Sequence, residues 1–528
     1  MIQRKTQSPS YWGDEFIITP DDLQYLSTLL VEEEIPLSAD ELGQSLVKFR
    51  CQQEAALVNG VMSQGTPYQP KRSYEIGEQV VFPALNYHIG TVVDVRPGHN
   101  PEHESFQVIR VEFEQGKKRE FAAEFAGEHP LNSEAQAGAA GDAELQSAEV
   151  LAQQYGPQIG KLLERHLQSE SSFVRLAGKW FPKDLLVDVN VGHLNLAEAV
   201  LDMAEGGPLP TADLLGDLEL PEEITPQLRI FSLNYVLQED ERFDEVGPAG
   251  QVLWFLRRLE PANVQLAPSL LEYEPTPYDP ALLTSEMLAL ERQLDDEWSD
   301  LEPPEEVNEP VAVTLTYPHW KSGTLPLSTK FSRVFPTGRT HRIRFTFVDG
   351  RTGEEMPGWV VREAKYVYGL EDWYSECNIP VGAYLELQRG TEPGTVIIQA
   401  RSHRPRREWV RVALPTEGRM TFEMRKELIA CEYDELMIVA EESAEGIERV
   451  RTRVEETKMS LNQLTADIFP ELAKLSPQGT VHAATLYSAV NTVRRTPPGP
   501  LLAELVAGGV YAPVGDNYWV LQVGPTDY

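Results

Sequence analysis

The stretch Arg242-Phe243-Asp244-Glu245-Val246-Gly247, followed by Leu253-Trp254-Phe255-Leu256, reads as two strands around a Gly-containing turn. Helical segments precede it. Residues 194–201 have a helical pattern with Asn195 as a cap, and Gly206-Gly207-Pro208 stops it. Thr211-Ala212-Asp213 starts a second helix, and a third falls near 226–239. Helices followed by a hairpin recur at the C-terminus. There, 481–494 and 500–506 read as helical, and 510–521 reads as a hairpin. Aromatic-x-x-Val-Gly, turn, Trp-x-Leu/Phe is common to both endings, at Phe243 and at Tyr511, and marks an internal repeat. The start of the chain repeats only the helical part. Thr19-Pro20 caps one helix, Ile35-Pro36-Leu37 ends it, and the capping box Ser38-Ala39-Asp40-Glu41 opens another.

Between these modules the period changes to two. Residues 74–83, 90–95, 106–113 and 119–122 read as short strands, and Phe106 to Phe113 alternates strictly. Four or five strands in so short a span predict a small barrel. A second β-rich region covers 311–415, with Asp349-Gly350 as a hairpin turn. The expected fold class is therefore α+β multidomain, with winged-helix-like modules plus two β-barrel-like domains. The boundaries read as 15–60 (helical, partial winged-helix-like), 66–132 (small barrel), 144–262 (helical pair over 144–176, then winged helix), 272–310 (acidic Pro-rich linker), 311–415 (basic β-barrel) and 416–528 (α/β segment and C-terminal winged-helix-like module). Residues 133–143 read as a further linker.

The 528 residues include 46 Lys+Arg and 82 Asp+Glu, a formal charge of −36. That balance opposes a general nucleic-acid coat, which neutralises phosphates with Lys and Arg. The charge is uneven, however. Residues 272–310 hold 13 acids and one Arg, whereas 311–415 hold 15 Lys+Arg against 10 acids. No apolar run reaches a membrane-spanning length and the first residues are polar, so the expected location is cytoplasmic. Cys51, Cys377 and Cys431 are far apart and form neither a disulfide framework nor a zinc ribbon.

Three segments resemble known families. Residues 178–258, with their Arg-Phe, Val-Gly turn and Trp, resemble the HARE-type winged helix-turn-helix, and 465–522 is a weaker copy in which Tyr511 replaces Phe and the preceding Arg is absent. Gly77-x-x-Val80-Val81-Phe82-Pro83…Gly90-x-Val92, within 73–125, is similar to the CarD-type and Mfd-type RNA-polymerase-interaction barrel and to Tudor-like barrels. Glu78 stands where that family has Asp. The order of strands, Asp-Gly turn and Trp-bearing helix over 311–415 resembles the DNA-binding pseudobarrel of plant auxin-response-type factors, with Ala383 in place of an Asp. These resemblances imply DNA contact and docking to a protein partner such as RNA polymerase.

Two Arg clusters are the candidate nucleic-acid contacts: Arg339, Arg342 and Arg344 with His341, and Arg401, Arg404, Arg406, Arg407 and Arg411 with His403 and Trp409. Arg suits bidentate phosphate contacts and base edges. Adjacent strand ends are expected to place both clusters on one side of a barrel. The tryptophans at 254, 359, 373, 409 and 519 are expected in the core. The function expected is a non-enzymatic DNA- or RNA-binding, transcription-associated protein, with no cofactor and no metal. An interaction scaffold without nucleic acid is one alternative. A metal-dependent nuclease using Asp349, Glu363 and Lys365 is another, since D…E-x-K chemistry needs two carboxylates on a metal and a Lys near the attacking water. The acidic segment 272–310 is a candidate internal DNA mimic covering the basic face. His99-Asn100-Pro101-Glu102-His103 matches H-x-x-E-H literally, but Pro101 and Gly98 make it a loop rather than the helical turn that zinc needs. Phosphate-binding and nucleophile-elbow motifs are absent from the sequence.

Overall fold

The computed structural model describes residues 5–85, 87–100, 105–113, 116–127, 129, 132, 146–221, 223–302 and 309–522. The fold is mixed α and β, with six sheets among the described residues. The chain divides into two compact units, Met1–Val189 with Leu220–Tyr235, and Asn190–Glu219 with Val236–Tyr528. The linker expected over 133–143 and most of the H-x-x-E-H motif lie outside the described residues.

One arrangement occurs three times. Each begins with a helix: Pro20–Glu33, Val191–Met203 and Leu461–Ala473. The Asn190 and Ser460 side chains accept from the first turns of the second and third helices, and at the first helix Thr19 N and Oγ1 donate to Asp22. A two-residue strand follows (Leu37–Ser38, Leu209–Pro210, Val481–His482) and runs directly into a second helix. It pairs antiparallel with the second strand of a hairpin, so that Leu37, Leu209 and Val481 lie opposite Trp180, Trp254 and Trp519. All three indoles are buried.

The first copy therefore has a hairpin, contrary to the expectation of a helical fragment. Phe173–Leu176 and Lys179–Pro182 supply it, far along the chain. The helical pair expected over 144–176 is one helix, Ala148–Leu167, followed by this hairpin. Ala148–Leu167 packs on Ala39–Met62 at glycines. A Cβ on Gly43 would stand 2.3 Å from Gly156 O and 2.7 Å from Gly160 N.

Between those two helices lies a five-stranded sheet, Thr66–Pro67, Gln79–Phe82, His88–Pro97, Gln107–Phe113 and Lys118–Ala123, in sequential order. Tyr68, Tyr74, Val80, Phe82, Val92, Ile109 and Val111 fill its interior. Among the described residues its two edge strands do not pair with each other. Instead Glu124 N and Phe125 N donate to Arg72 O and Pro70 O, and Tyr68 Oη donates to Ala122 O.

The second unit contains a seven-stranded sheet with the order Val311–Thr314, Tyr384–Arg389, Thr395–Ala400, Arg342–Asp349, Glu355–Val361, Tyr366–Tyr368, Thr324–Pro326. Its pairing is open, so the closed barrel expected here is a half-barrel. The short helix Tyr317–Ser322 carries the chain from one edge strand to the other. The sheet also ends earlier than expected. After Ala400 the chain leaves it and forms Ser402–Thr416, which pairs with Arg419–Cys431 and with Ile438–Glu441 in a separate sheet.

The segment read as an acidic linker is also a correction. Met287 and Leu290 of the helix Ser285–Leu294 join the core formed by residues 413–519. Asp296 and Glu297 are buried, and each accepts from Arg495 at 2.7 Å. Glu297 also meets His319 Nε2 at 3.3 Å, and Tyr487 Oη donates to Asp296 at 2.6 Å. Burial opposes ionisation of Glu297, but Arg495 and His319 overcome it and hold its carboxyl below the usual range. The acids sit inside because their cationic partners do.

Candidate nucleic-acid interface

The two Arg clusters do not share one side of the sheet. Arg342–Asp349 and Thr395–Ala400 run parallel, with Asp349 opposite Ile398. Arg342 is thus at the start of its strand and Arg401 lies beyond the far end, about ten register positions away. At ~3.3 Å per residue the separation is roughly 30 Å. Parallel pairing is what defeats the expectation, because it sends successive strand starts to the same end.

The first cluster is largely neutralised. Arg342 bridges Asp244 at 3.1 Å and Glu260 at 3.0 Å. Arg344 donates to Phe345 O and lies over the Trp359 ring at 5.7 Å, and burial pushes its pKa down to about 10. Exposed His341 pairs with Glu363. Arg339 is exposed, with no ion pair among the described residues.

The second cluster lies along the long hairpin. Arg401 pairs with Glu386 at 2.8 Å and stacks near Tyr384, and Arg406 pairs with Glu408. Arg404 and Arg407 are exposed and have no ion pair among the described residues. Register fixes what surrounds them. Arg407 is opposite Leu428, Trp409 opposite Lys426 and Arg411 opposite Met424. Alternation puts these six side chains on one face. The other face carries Val410, Val412 and Ile429, which close against Val439.

Trp409 is 60% exposed, the only exposed indole of the nine, whereas Trp254, Trp359, Trp373 and Trp519 are buried as expected. Lys426 Nζ lies 5.2 Å from its ring centroid, a cation–π contact. Leu428 is 66% exposed beside them. Sequence reasoning missed Lys426, Met424 and Leu428, because only the hairpin register joins them to Trp409. The alternation within 420–424 was the available signal.

Among the described residues, none of the acids in 272–302, nor Glu309, pairs with an Arg of either cluster, while Glu305 and Glu306 of the candidate DNA mimic lie outside the described residues. Glu309 pairs instead with Arg389. The nuclease triplet is not assembled either. Asp349 and Glu363 are at opposite ends of one hairpin, since Val348 pairs with Glu355 and Arg342 with Val361. Asp349 accepts from Arg351 N, Thr352 N and Trp373 Nε1, which holds a turn. Lys365 donates to Glu297 O and covers Trp298. Among the described residues no group of His, Cys, Asp and Glu is placed to hold a metal. No helix there is long and apolar enough to cross a membrane.

No family model, curated protein or solved structure matches this chain. A basic, aromatic strand face can hold a phosphodiester backbone on its guanidinium groups while a base stacks on the indole.

Proposed function

We propose that this is a non-enzymatic nucleic-acid-binding protein whose contact surface is the outer face of the hairpin Ser402–Thr416/Arg419–Cys431. The observation that carries the reading is the exposure of Trp409 between Arg407 and Lys426. An indole left in water beside unneutralised cations costs hydrophobic stabilisation in the free protein, and a stacked base would recover it. Arg404 and Arg407 hold phosphates, and Trp409 takes an unpaired base. The partner is DNA or RNA with single-stranded character.

In this reading the three helix–hairpin units are winged-helix-like modules similar to the HARE type, and the five-stranded sheet is a CarD-like or Tudor-like docking barrel. The second of these units is strongly acidic, which suits protein contacts better than a DNA groove. The half-barrel retains a likeness to the pseudobarrel family, but its first Arg cluster holds the fold together through Asp244 and Glu260.

The test is fluorescence anisotropy of the full chain with labelled single-stranded DNA, single-stranded RNA and duplex DNA across a salt series. Affinity should fall linearly with log salt. It should drop about tenfold in Trp409→Ala and further in Arg404→Ala/Arg407→Ala. No binding at low salt, or binding untouched by these variants, would overturn the reading. The exposure of Leu428 and Trp409 together supports a second reading, a protein-docking scaffold, whose signature is association that does not weaken with salt.

A further inference from the structure

The same hairpin face runs into a cleft of about 750 Å³. Its floor and walls include Arg411, His482, Thr485, Leu475, Val514 and Tyr518. Three features of this cleft favour a negative charge. Arg411 is half-buried, donates to the main-chain carbonyl of Glu435, and has no carboxylate within ion-pair distance among the described residues. Burial depresses its pKa while leaving it cationic at neutral pH. Asp434 and Glu435 act on it electrostatically without forming an ion pair. A desolvated guanidinium without a counter-ion is costly unless an anion joins it.

The second feature is the N-terminus of the helix Ala483–Val490, where Ala483 N donates to Asn517 O at 2.9 Å and Ala484 N to His482 Nδ1 at 3.1 Å, so that the helix offers its dipole rather than these two amides. The positive end of the helix dipole is there. The third is Thr485 in its first turn. This side chain is 4% exposed and lines the cleft, yet its Oγ1 has no partner among the described residues. Ser476 and Thr480 nearby bond each other at 3.0 Å and need nothing further. An orphaned hydroxyl and a guanidinium without an ion pair, lining one cleft, are half of a binding site. The remaining wall is apolar and aromatic, from Leu475, Val514 and Tyr518, and Val514 is 55% exposed. Asp516 at the same wall discourages a second negative group.

We propose that this cleft binds a phosphomonoester carrying a planar apolar body, the chemistry of a nucleoside monophosphate. The phosphate is held by Arg411 and Thr485 Oγ1, with the helix dipole behind them and the base against Tyr518 and Val514. A volume of this size suits one nucleotide. The ligand has two sources, a free nucleotide or the phosphorylated end of a strand. The proposal does not depend on strand binding by the hairpin, because a free nucleotide reads the cleft alone.

The experiment is calorimetric titration of the full chain with adenosine 5′-monophosphate, adenosine and inorganic phosphate. The monophosphate should bind at least tenfold more tightly than adenosine. Arg411→Gln should lose at least tenfold, Thr485→Val about fivefold, and Thr485→Ser should keep wild-type affinity. A 5′-phosphorylated oligothymidylate tighter than its 5′-hydroxyl counterpart identifies the strand end as the source, and equal affinity identifies the free nucleotide. Equal binding of monophosphate and adenosine, no binding at millimolar concentration, or Thr485→Val indistinguishable from wild type would overturn the proposal. Trp409→Ala separates the two readings. Loss of strand binding with the monophosphate retained would leave each site standing on its own data.

Discussion

Leu209 lies opposite Trp254 in an antiparallel pair, and the Trp254 indole donates to Thr211 Oγ1 at 3.2 Å. One tryptophan thereby ties the hairpin to the start of the following helix. Leu37 with Trp180 and Val481 with Trp519 repeat the pairing. Trp254→Ala should destabilise its unit by about 3–5 kcal/mol, and Trp254→Phe, which keeps most of the volume, by clearly less. Urea unfolding followed by amide exchange in residues 243–256 would check this. Equal effects of the two variants would count against packing as the cause.

Gly43→Ala should loosen the helix pair in the first unit. Alanine gains about 1 kcal/mol of helix propensity over glycine. The added methyl meets backbone atoms of Gly156 and Gly160 that cannot rotate away. Overpacking costs about 1–3 kcal/mol or more, so the clash wins. A lower melting temperature for Gly43→Ala, beside an equal or raised one for Gly60→Ala at an open position of the same helix, is the expected outcome.

Arg495→Met should be among the most damaging single changes, at about 3–5 kcal/mol, because it strands Asp296 and Glu297 in the interior. Adding Asp296→Asn and Glu297→Gln to Arg495→Met should restore much of that loss. Thermal unfolding of the single and triple variants measures it. A triple variant no more stable than the single one would refute the electrostatic account.

Glu245 gives a pH dependence. Burial pushes its pKa up to about 7, against a partial offset from the N–H groups of Gly247 and Leu253. The folded state therefore holds this proton more tightly than the unfolded chain, whose carboxyl titrates near 4.5. Its contribution is fully present below pH 4.5 and is lost as pH rises through about 7. Discounted for its partial exposure, the loss is about 1–2 kcal/mol. Glu245→Gln should flatten the stability curve between those values, which melting curves at stepped pH would show.

Local signals in the chain carried far. The helix start at Thr19-Pro20, the capping box at Ser38, the strict alternation of 106–113 and the hairpin of 242–256 all have their physical cause within a few neighbouring residues. Long-range pairing was illegible. A two-residue strand such as Leu37–Ser38 has no period to detect, so nothing near it announces Trp180. Alternation around Trp409 defines two faces but not which one is covered, and that choice is made by Val439 of a later strand. Asp296 and Glu297 look solvated in the sequence because Arg495, their partner, is about two hundred residues away in the chain. Of the Arg clusters, composition located the charge, and only the register showed which groups are already neutralised.

The five-stranded sheet sits inside the first helix–hairpin unit, between Ala39–Met62 and Ala148–Leu167. During synthesis the first of these helices leaves the ribosome with its glycine face bare, and 85 residues intervene before its partner begins. At roughly 5–20 residues per second that interval is about 4–17 s. The sheet has its own interior and short-range pairing, so it can form while the helix waits. The order in which the parts mature is therefore the reverse of their nesting: the inserted element first, its host only once residues beyond 182 have emerged.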